Sequence, residues 1–151
     1  MADVVDPKAV FASARNTISE KHQINSPHLD LTLAAVFRLK SGGSLDFGGS
    51  EYEAGNWETC LPGRKSPEDS YGWWYLHEGY YLLRYNEEVH LAGNQIGFIQ
   101  PHPRLLNSGC FHTALNTRLI DSEFRIPLWV PKTGIRIKEN ARISQLLVLQ
   151  F

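Results

Sequence analysis

The sequence predicts an all-β fold, a distorted barrel or jelly roll preceded by one short helix. After Pro27 the apolar clusters are short, rich in aromatic and β-branched residues, and separated by Gly, Pro and Asn, a pattern typical of strands and turns. The chain has 151 residues, which suits one domain with its own core. Many short strands after a single helix favour a barrel or jelly roll over an alternating α/β fold.

The N-terminal helix is predicted over residues 7–21. The apolar residues Val10, Phe11, Ala14 and Ile18 recur there at spacings of three and four, which places them on one helical face. Beyond it, strands are predicted at residues 33–39, 73–76, 80–85, 95–100, 111–115, 125–130, 134–138 and 145–151.

Residues 40–71 are rich in Gly, Ser, Pro and charge, and we predict a long loop or an irregular hairpin for them. A structureless stretch of this length is unusual in a compact domain. Two interpretations stay open, a cover for a site or a subunit contact, and a mobile excursion.

Composition excludes several classes of protein. The formal net charge is -1 with no long run of one sign, so no nucleic-acid partner is expected. Neither a signal peptide nor a long apolar run is present, and no membrane partner is expected either. The two cysteines lack zinc-ligand spacing, which favours a reduced, cytoplasmic protein.

Two rival classes of small β protein receive little support. A metal enzyme of the cupin kind would need ligands such as His-x-His on one strand, whereas His77, His90, His102 and His112 are widely scattered. A sugar-binding sandwich would use exposed aromatic residues, but aromatic residues that alternate in strands more often belong to the core.

A series of motifs, concentrated between residue 76 and the end of the chain, carries a family resemblance. In chain order they are PHLDL at 27–31, LHEGYY at 76–81, RYNE at 84–87, PHPRLLNSG at 101–109, TA at 113–114, GIRI at 134–137 and ARISQL at 141–146. Their order and spacing resemble the archaeal and bacterial dUTPase-like branch of the dUTPase and dCTP deaminase superfamily.

The resemblance implies a distorted β-barrel homotrimer whose three active sites are shared between subunits. The reaction it implies is hydrolysis of dUTP to dUMP and pyrophosphate. In such enzymes an Asp positions the catalytic water and the deoxyribose, an aromatic residue packs under the sugar, and Arg and Ser hold phosphate oxygens. Mg²⁺ bridges those oxygens, as a hard cation suits triphosphate.

The phosphate motif departs from the family's "PRSSLLRSG". His102 stands where the family has Arg, Pro103 and Arg104 stand at the two Ser, and Asn107 stands at the second Arg, while Ser108 is retained. A neutral His cannot replace the bidentate fork that Arg offers to phosphate. Arg104 either compensates in part or is an ordinary surface arginine.

The next motif allows two alignments. Without a gap, Thr117 takes the place of the catalytic Asp and Ile120 that of the sugar-stacking aromatic. A three-residue insertion instead restores an Asp and an aromatic three positions on, Asp121 and Phe124. The difference matters because a Thr hydroxyl cannot act as a general base near neutral pH.

Deamination of dCTP would need a Glu that the resemblance places in the strand at residues 127–130, which reads PLWV. Gln145 matches the closing motif and also suits the barrel core. Asp30 matches the first motif, near metal and phosphate in the family, but an Asp after Pro is also common in turns.

The resulting hypothesis is a dUTPase-like protein of nucleotide metabolism in which dUTP hydrolysis is weakened or lost. The alternatives are a non-catalytic trimeric nucleotide-binding or assembly protein, or dCTP deaminase-like activity. Expected partners are further copies of the chain and a deoxynucleotide of the dUTP or dCTP class, with Mg²⁺ if the protein is active. The candidate site residues are Asp121 for catalysis, Arg104 and Ser108 for phosphate, Phe124 for the sugar, Gln145 for phosphate or structure, and Asp30 for the metal.

Overall fold

The computed structural model describes residues 1–151 and consists mainly of strands. Three short helices are present, α1 (Pro7–Ser13), α2 (Glu20–Gln23) and α3 (Pro103–Asn107). None of them is long and apolar enough to cross a bilayer. The strands are β1 (Asp3–Val4), β2 (Ile24–Asn25), β3 (His28–Ser41), β4 (Asn56–Cys60), β5 (Trp73–Leu76), β6 (Gly79–Tyr85), β7 (Val89–His90), β8 (Gln95–Pro101), β9 (Phe111–His112), β10 (Leu115–Thr117), β11 (Leu119–Ile120), β12 (Ile126–Val130), β13 (Ile135–Lys138) and β14 (Arg142–Gln150).

Ten strands form one antiparallel sheet that curls into a half-barrel. Its order is β10-β8-β14-β3-β6-β12-β9, with β1 added to β14 and with β2 and β4 added to β3. Two-stranded ribbons, β5 with β13 and β7 with β11, complete the fold. The all-β prediction is therefore confirmed.

The core lies inside the curl of the sheet, and strand periodicity explains its composition. In β6, Tyr81, Leu83 and Tyr85 are buried while Leu82 and Arg84 between them are only partly so, because successive side chains of a strand point to opposite faces. The same alternation in the other strands gives one cluster of 22 buried apolar residues.

The N-terminal helix is shorter than predicted, since α1 ends at Ser13 and not near Lys21. Ala14 is already extended, and the backbone N–H and C=O of Arg15 pair with the backbone of Glu88 at 2.9 and 3.1 Å. Asn16 then takes a positive φ of 60°. These long-range pairings end the helix, and Ile18 is left exposed.

Two further segments need separate description, the predicted strand at 111–115 and the segment at 40–71. The apolar run at 111–115 is divided between β9, which pairs with β12, and β10, which pairs with β8. Within residues 40–71, β4 pairs with the end of β3, and a bridge joins Ser44 to Glu53. The segment thus forms an irregular hairpin, with the large side chains of Leu45 and Phe47 exposed at its tip.

A short chain of hydrogen bonds crosses the core beneath β14. The Ser144 hydroxyl lies 2.5 Å from the Tyr85 hydroxyl and 2.7 Å from Nε2 of His112, and Nδ1 of His112 lies 2.9 Å from the Thr113 carbonyl oxygen. Burial raises the pKa of Tyr85 and lowers that of His112. All three side chains are therefore neutral, and the Thr113 carbonyl fixes the proton of His112 on Nδ1.

Candidate functional site

Helix α3 positions the first predicted site residues. It begins after His102, whose Nδ1 accepts a hydrogen bond from the N–H of Arg104 at 3.0 Å, and Pro103 occupies the first turn, where no N–H is needed. Leu105 is buried and anchors the helix against the sheet, so Arg104 and Ser108 face outward on the other side. The two residues predicted for phosphate are thus neighbours on one helix.

Both residues line a cleft of about 360 Å³ between α3 and the turn from β13 to β14. No carboxylate lines this cleft. Its apolar lining includes the buried Leu105, Ile137 and Ile143, together with Trp73. Its polar lining consists of four cations, Arg104, Arg136, Lys138 and Arg142, together with Ser108 and Asn140.

The charge of this basic cleft is largely uncompensated. Only Arg142 among its four cations forms an ion pair, with Asp30 at 3.2 Å. A concave surface with clustered cations and no facing carboxylate attracts anions, and Arg in particular matches phosphate oxygens. The arrangement is therefore suited to a phosphorylated ligand.

Strand β13 supplies two of the cations by simple alternation. Ile137 is buried, so Arg136 and Lys138 on either side of it point outward together. Across the ribbon they pair with Tyr75 and Trp73 of β5. The ammonium group of Lys138 lies 5.7 Å from the centre of the Trp73 ring, within the range of a cation–π contact.

His102, at the family's arginine position, does not reach the cleft. Its side chain is buried, and because Nδ1 accepts a hydrogen bond, the proton resides on Nε2, which lies 3.2 Å from Oδ2 of Asp30. Burial lowers the pKa of His102, outweighing the opposite effect of the Asp30 charge. The residue is a neutral internal donor and is not directed at a ligand.

Asp30 is a buried counter-ion. Its Oδ2 accepts hydrogen bonds from Asn25 at 2.9 Å and from Arg142 at 3.2 Å, in addition to His102. The side chain is fully buried, its Oδ1 has no hydrogen-bond partner, and no cluster of three acidic, His or Cys side chains suitable for a metal exists in the chain. The surroundings of Asp30 therefore do not fit a Mg²⁺ ligand.

Asp121 and Phe124 lie in the turn between β11 and β12, away from the basic cleft. Oδ1 of Asp121 accepts a hydrogen bond from the N–H of Glu123 at 3.0 Å, which stabilises the turn. The Phe124 ring stacks on Tyr85 with centroids 6.1 Å apart and packs against the core. Thr117, the alternative to Asp121, is bonded to Leu119 through its hydroxyl at 2.9 Å.

Gln145 and Ser108 have local partners. Gln145 stands on β14 between Asp30 and Gln100, and its side-chain oxygen accepts a hydrogen bond from Gln100 at 3.2 Å. The Ser108 hydroxyl donates to the carbonyl of Arg104 at 2.8 Å. Within a single chain, Arg104 and Ser108 are thus the only predicted site residues that lie together in a cleft.

Sequence reasoning missed Arg136 and Lys138. Two cations at i and i+2 in a predicted strand share one face, which was a usable signal. Nothing in the sequence indicated that this face would meet α3, because that contact depends on the tertiary fold.

Comparison with solved structures extends the description of the fold. The 2'-deoxycytidine 5'-triphosphate deaminase from Agrobacterium tumefaciens superimposes with a TM-score of 0.65 at 15% identity, covering 99% of this chain and 49% of the deaminase. This chain spans about half the length of that protein. The half-barrel therefore has the same overall fold as part of that deaminase.

Curated relatives narrow the assignment. A probable deoxyuridine 5'-triphosphate nucleotidohydrolase of Methanosarcina barkeri is 34% identical over 137 residues, covering 87% of this chain and 75% of the relative. Another of the same name, from Archaeoglobus fulgidus, is 29% identical over 139 residues, covering 91% and 78%. No protein-family model matches the chain. By its likeness to these relatives, the chain belongs to the dUTPase family.

Proposed function

We propose that this protein binds a deoxynucleoside triphosphate of the dUTP class with its phosphates in the basic cleft, and that the family reaction, cleavage to dUMP and pyrophosphate, is weakened or lost. The observation that carries the proposal is the meeting of Arg104 and Ser108 with three further cations in a cleft without carboxylates. A triphosphate is strongly anionic, so such a cleft favours it over neutral ligands.

We expect weak catalysis because the phosphate motif has His102 where the family has Arg. A guanidinium group at position 102 would offer a bidentate fork to a phosphate, whereas His102 is neutral and hydrogen-bonded to buried Asp30. Arg104, Arg136 and Lys138 supply charge from other directions. Charge without the family's geometry supports binding better than it supports the transition state.

A base for water attack has to come from outside the cleft. We propose Asp121 for this role, contributed by a neighbouring copy in a homotrimer, because Asp121 does not line the basic cleft of its own chain. Mg²⁺ would arrive with the triphosphate, held by phosphate oxygens, since Asp30 does not fit a metal. We place the protein in the cytoplasm, where deoxynucleotide pools are found.

Calorimetric titration with dUTP, dCTP and tripolyphosphate tests the binding. We expect heat with all three ligands, and we expect Arg104→Gln to weaken each of them, while Lys132→Gln, an exposed lysine outside the cleft, serves as the control. Absence of binding by every ligand would overturn the proposal.

Release of pyrophosphate from dUTP with Mg²⁺ tests the chemistry. We expect slow release or none. Release at an ordinary enzymatic rate, about 1 s⁻¹ or faster, would contradict the loss of function and would leave the binding proposal intact. Binding without any release would favour the alternative of a non-catalytic nucleotide-binding protein, which the burial of His102 already supports.

A further inference from the structure

The irregular hairpin at residues 40–71 has a tip, residues 44–53, that exposes two large apolar side chains. Leu45 is 89% exposed, and Phe47 is fully exposed. A single apolar side chain on a surface is ordinary, but a pair in one turn with no protein packed on it points to a contact surface. The hairpin tip is therefore available to another protein surface.

Hydrogen bonds hold the hairpin tip in one conformation. The Asp46 carboxylate accepts the N–H groups of Gly49 and Glu51 at 3.0 and 2.9 Å. The Ser44 hydroxyl donates to the carbonyl of Glu51 at 2.6 Å, and the backbones of Ser44 and Glu53 exchange two hydrogen bonds of 2.9 and 3.1 Å. Because the tip is already ordered, it loses little conformational entropy when it binds a partner.

The hairpin tip is also uniformly acidic. Asp46, Glu51 and Glu53 lie in it, and no Lys, Arg or His occurs between residues 41 and 63. None of the three carboxylates forms an ion pair within the chain. The tip therefore combines exposed apolar side chains with uncompensated negative charge.

The basic cleft has the complementary properties. Its cations Arg104, Arg136 and Lys138 have no ion-pair partner in the chain, and no carboxylate lines it. Its lining also includes the buried apolar side chains of Leu105 and Ile137. A concave surface that is both cationic and apolar suits an acidic turn that presents an apolar side chain.

We infer that the hairpin tip of one copy of this chain docks in the basic cleft of a second copy. Phe47 then packs against the apolar lining, and Glu51 and Glu53 face the cations of the cleft. The cleft of its own chain is not the occupant, because Phe47 is fully exposed in the single chain. Every copy carries both surfaces, so the contact is heterologous and closes only in a ring.

This contact gives the basic cleft a competitor for phosphate. The carboxylates of the docked tip and the phosphates of a nucleotide would use the same cations, so the two cannot occupy one cleft together. This competition rests on the proposed function, whereas the contact itself requires only the charge and the apolar lining of the cleft. The tip is short, so the contact is smaller than a standard protein interface and is expected to be weak.

Photo-crosslinking of the full chain detects a weak contact. Phe47→benzoylphenylalanine keeps an aromatic side chain at the tip, and we expect irradiation to join it to residues that line the basic cleft. Mixing unlabelled chains with chains labelled with a heavy nitrogen isotope distinguishes crosslinks between copies from crosslinks within one copy. Tripolyphosphate should suppress the crosslinks, and so should added salt, because the attraction is electrostatic.

Matched variants test the two parts of the contact. Glu51→Gln combined with Glu53→Gln should lower the crosslink yield about tenfold, the scale of one lost hydrogen bond to a charged group. Glu68→Gln, at an exposed position outside the tip, should leave the yield unchanged. The same photoreactive side chain at Leu61, which is 85% exposed, should not reach the cleft.

Calorimetric titration with tripolyphosphate tests the competition. The affinity of wild type should fall as the protein concentration is raised, because more clefts are then occupied by tips. Phe47→Ser should bind tripolyphosphate several-fold more tightly than wild type at high protein concentration, with no dependence on that concentration. Leu61→Ser should behave as wild type does.

The outcomes separate this inference from the proposed function. The inference would be overturned by crosslinks within one copy only, by crosslinks outside the basic cleft, or by a yield that the Gln variants or bound tripolyphosphate leave unchanged. Tripolyphosphate binding without crosslinks would leave the phosphate site standing alone. Crosslinks in the cleft of a protein that binds no tripolyphosphate would overturn the proposed function and leave the contact between copies standing.

Discussion

Nε2 of His102 donates a hydrogen bond to Oδ2 of Asp30 over 3.2 Å, and this contact joins the start of α3 to the beginning of β3. The other ring nitrogen of His102 accepts the N–H of Arg104, so both nitrogens are satisfied inside the protein. A position that the family resemblance assigns to phosphate has here become part of the scaffold. The cations that our proposal assigns to phosphate are those of the basic cleft.

The burial of His102 and His112 predicts that the free energy of unfolding depends on pH. Burial lowers the pKa of His102 and of His112 from the ordinary value of 6.5, so the unfolded chain binds more protons than the folded chain below that pH. Stability contributed by the neutral rings is present above pH 6.5 and is lost as pH falls through the lowered folded values. Urea unfolding at pH 7.5 and pH 5.5 should show a lower free energy of unfolding at the acidic pH.

His102→Asn should reduce this pH dependence, whereas His90→Asn, at an exposed position, should not. If the free energy of unfolding fell equally between pH 7.5 and pH 5.5 for wild type and for His102→Asn, this result would contradict the role assigned to His102. Glu87 acts with the opposite sign, because burial raises its pKa above 4.5, and its effect remains in both variants.

Glu87→Gln should lower the free energy of unfolding by about 1–3 kcal/mol. Glu87 is buried, and its two oxygens accept hydrogen bonds from the N–H and hydroxyl of Thr32 at 2.7 and 2.6 Å and from the amide of Gln23 at 2.9 Å. An amide NH₂ in its place would face a donor. Denaturant unfolding at pH 7.5 measures the change, and Glu123→Gln, on the surface, should be near neutral.

Neutralising single cations of the basic cleft should weaken tripolyphosphate binding. We expect Arg104→Gln and Lys138→Gln each to lower the affinity about tenfold, the scale of one lost hydrogen bond to a charged group. Because the attraction is electrostatic, wild-type affinity should fall as salt is raised and the variants should respond less steeply. Titrations at two ionic strengths measure both effects, and an unchanged affinity in both variants would remove the cleft as the phosphate site.

Asp121→Asn and Thr117→Ala separate the two alignments of the catalytic motif. If any cleavage of dUTP is measurable, we expect Asp121→Asn to abolish it, because an amide cannot accept the proton of the attacking water. Thr117→Ala should retain it, since the Thr117 hydroxyl is bonded to its own turn. Pyrophosphate release reports on both variants, and the reverse result would assign the position to Thr117.

Strand content and strand positions were predictable because short apolar clusters between turn residues are a local signal. Residues 73–76 and 80–85 are rich in aromatic and apolar side chains, and β5 and β6 lie there. The end of α1 was not predictable, because it depends on pairing with Glu88, more than seventy residues away. The run at 111–115 gave no sign that two different strands would divide it.

The site was predictable to the extent that it lies in one continuous motif. Arg104 and Ser108 are four residues apart and share one helix, so the motif located both in the cleft. Arg136 and Lys138 could not be placed there, because their position depends on the pairing of β13 with β5 and on the packing of that ribbon near α3.

The buried chain of Tyr85, Ser144 and His112 has a consequence for the divergence of the sequence. The Ser144 hydroxyl is hydrogen-bonded to both Tyr85 and His112. Replacing Ser144 by an apolar residue would therefore leave the Tyr85 hydroxyl and the His112 nitrogen without partners in the core. Relatives that lack one of the three are therefore expected to have changed the other two as well. In an alignment of close homologues, these positions should covary as a set.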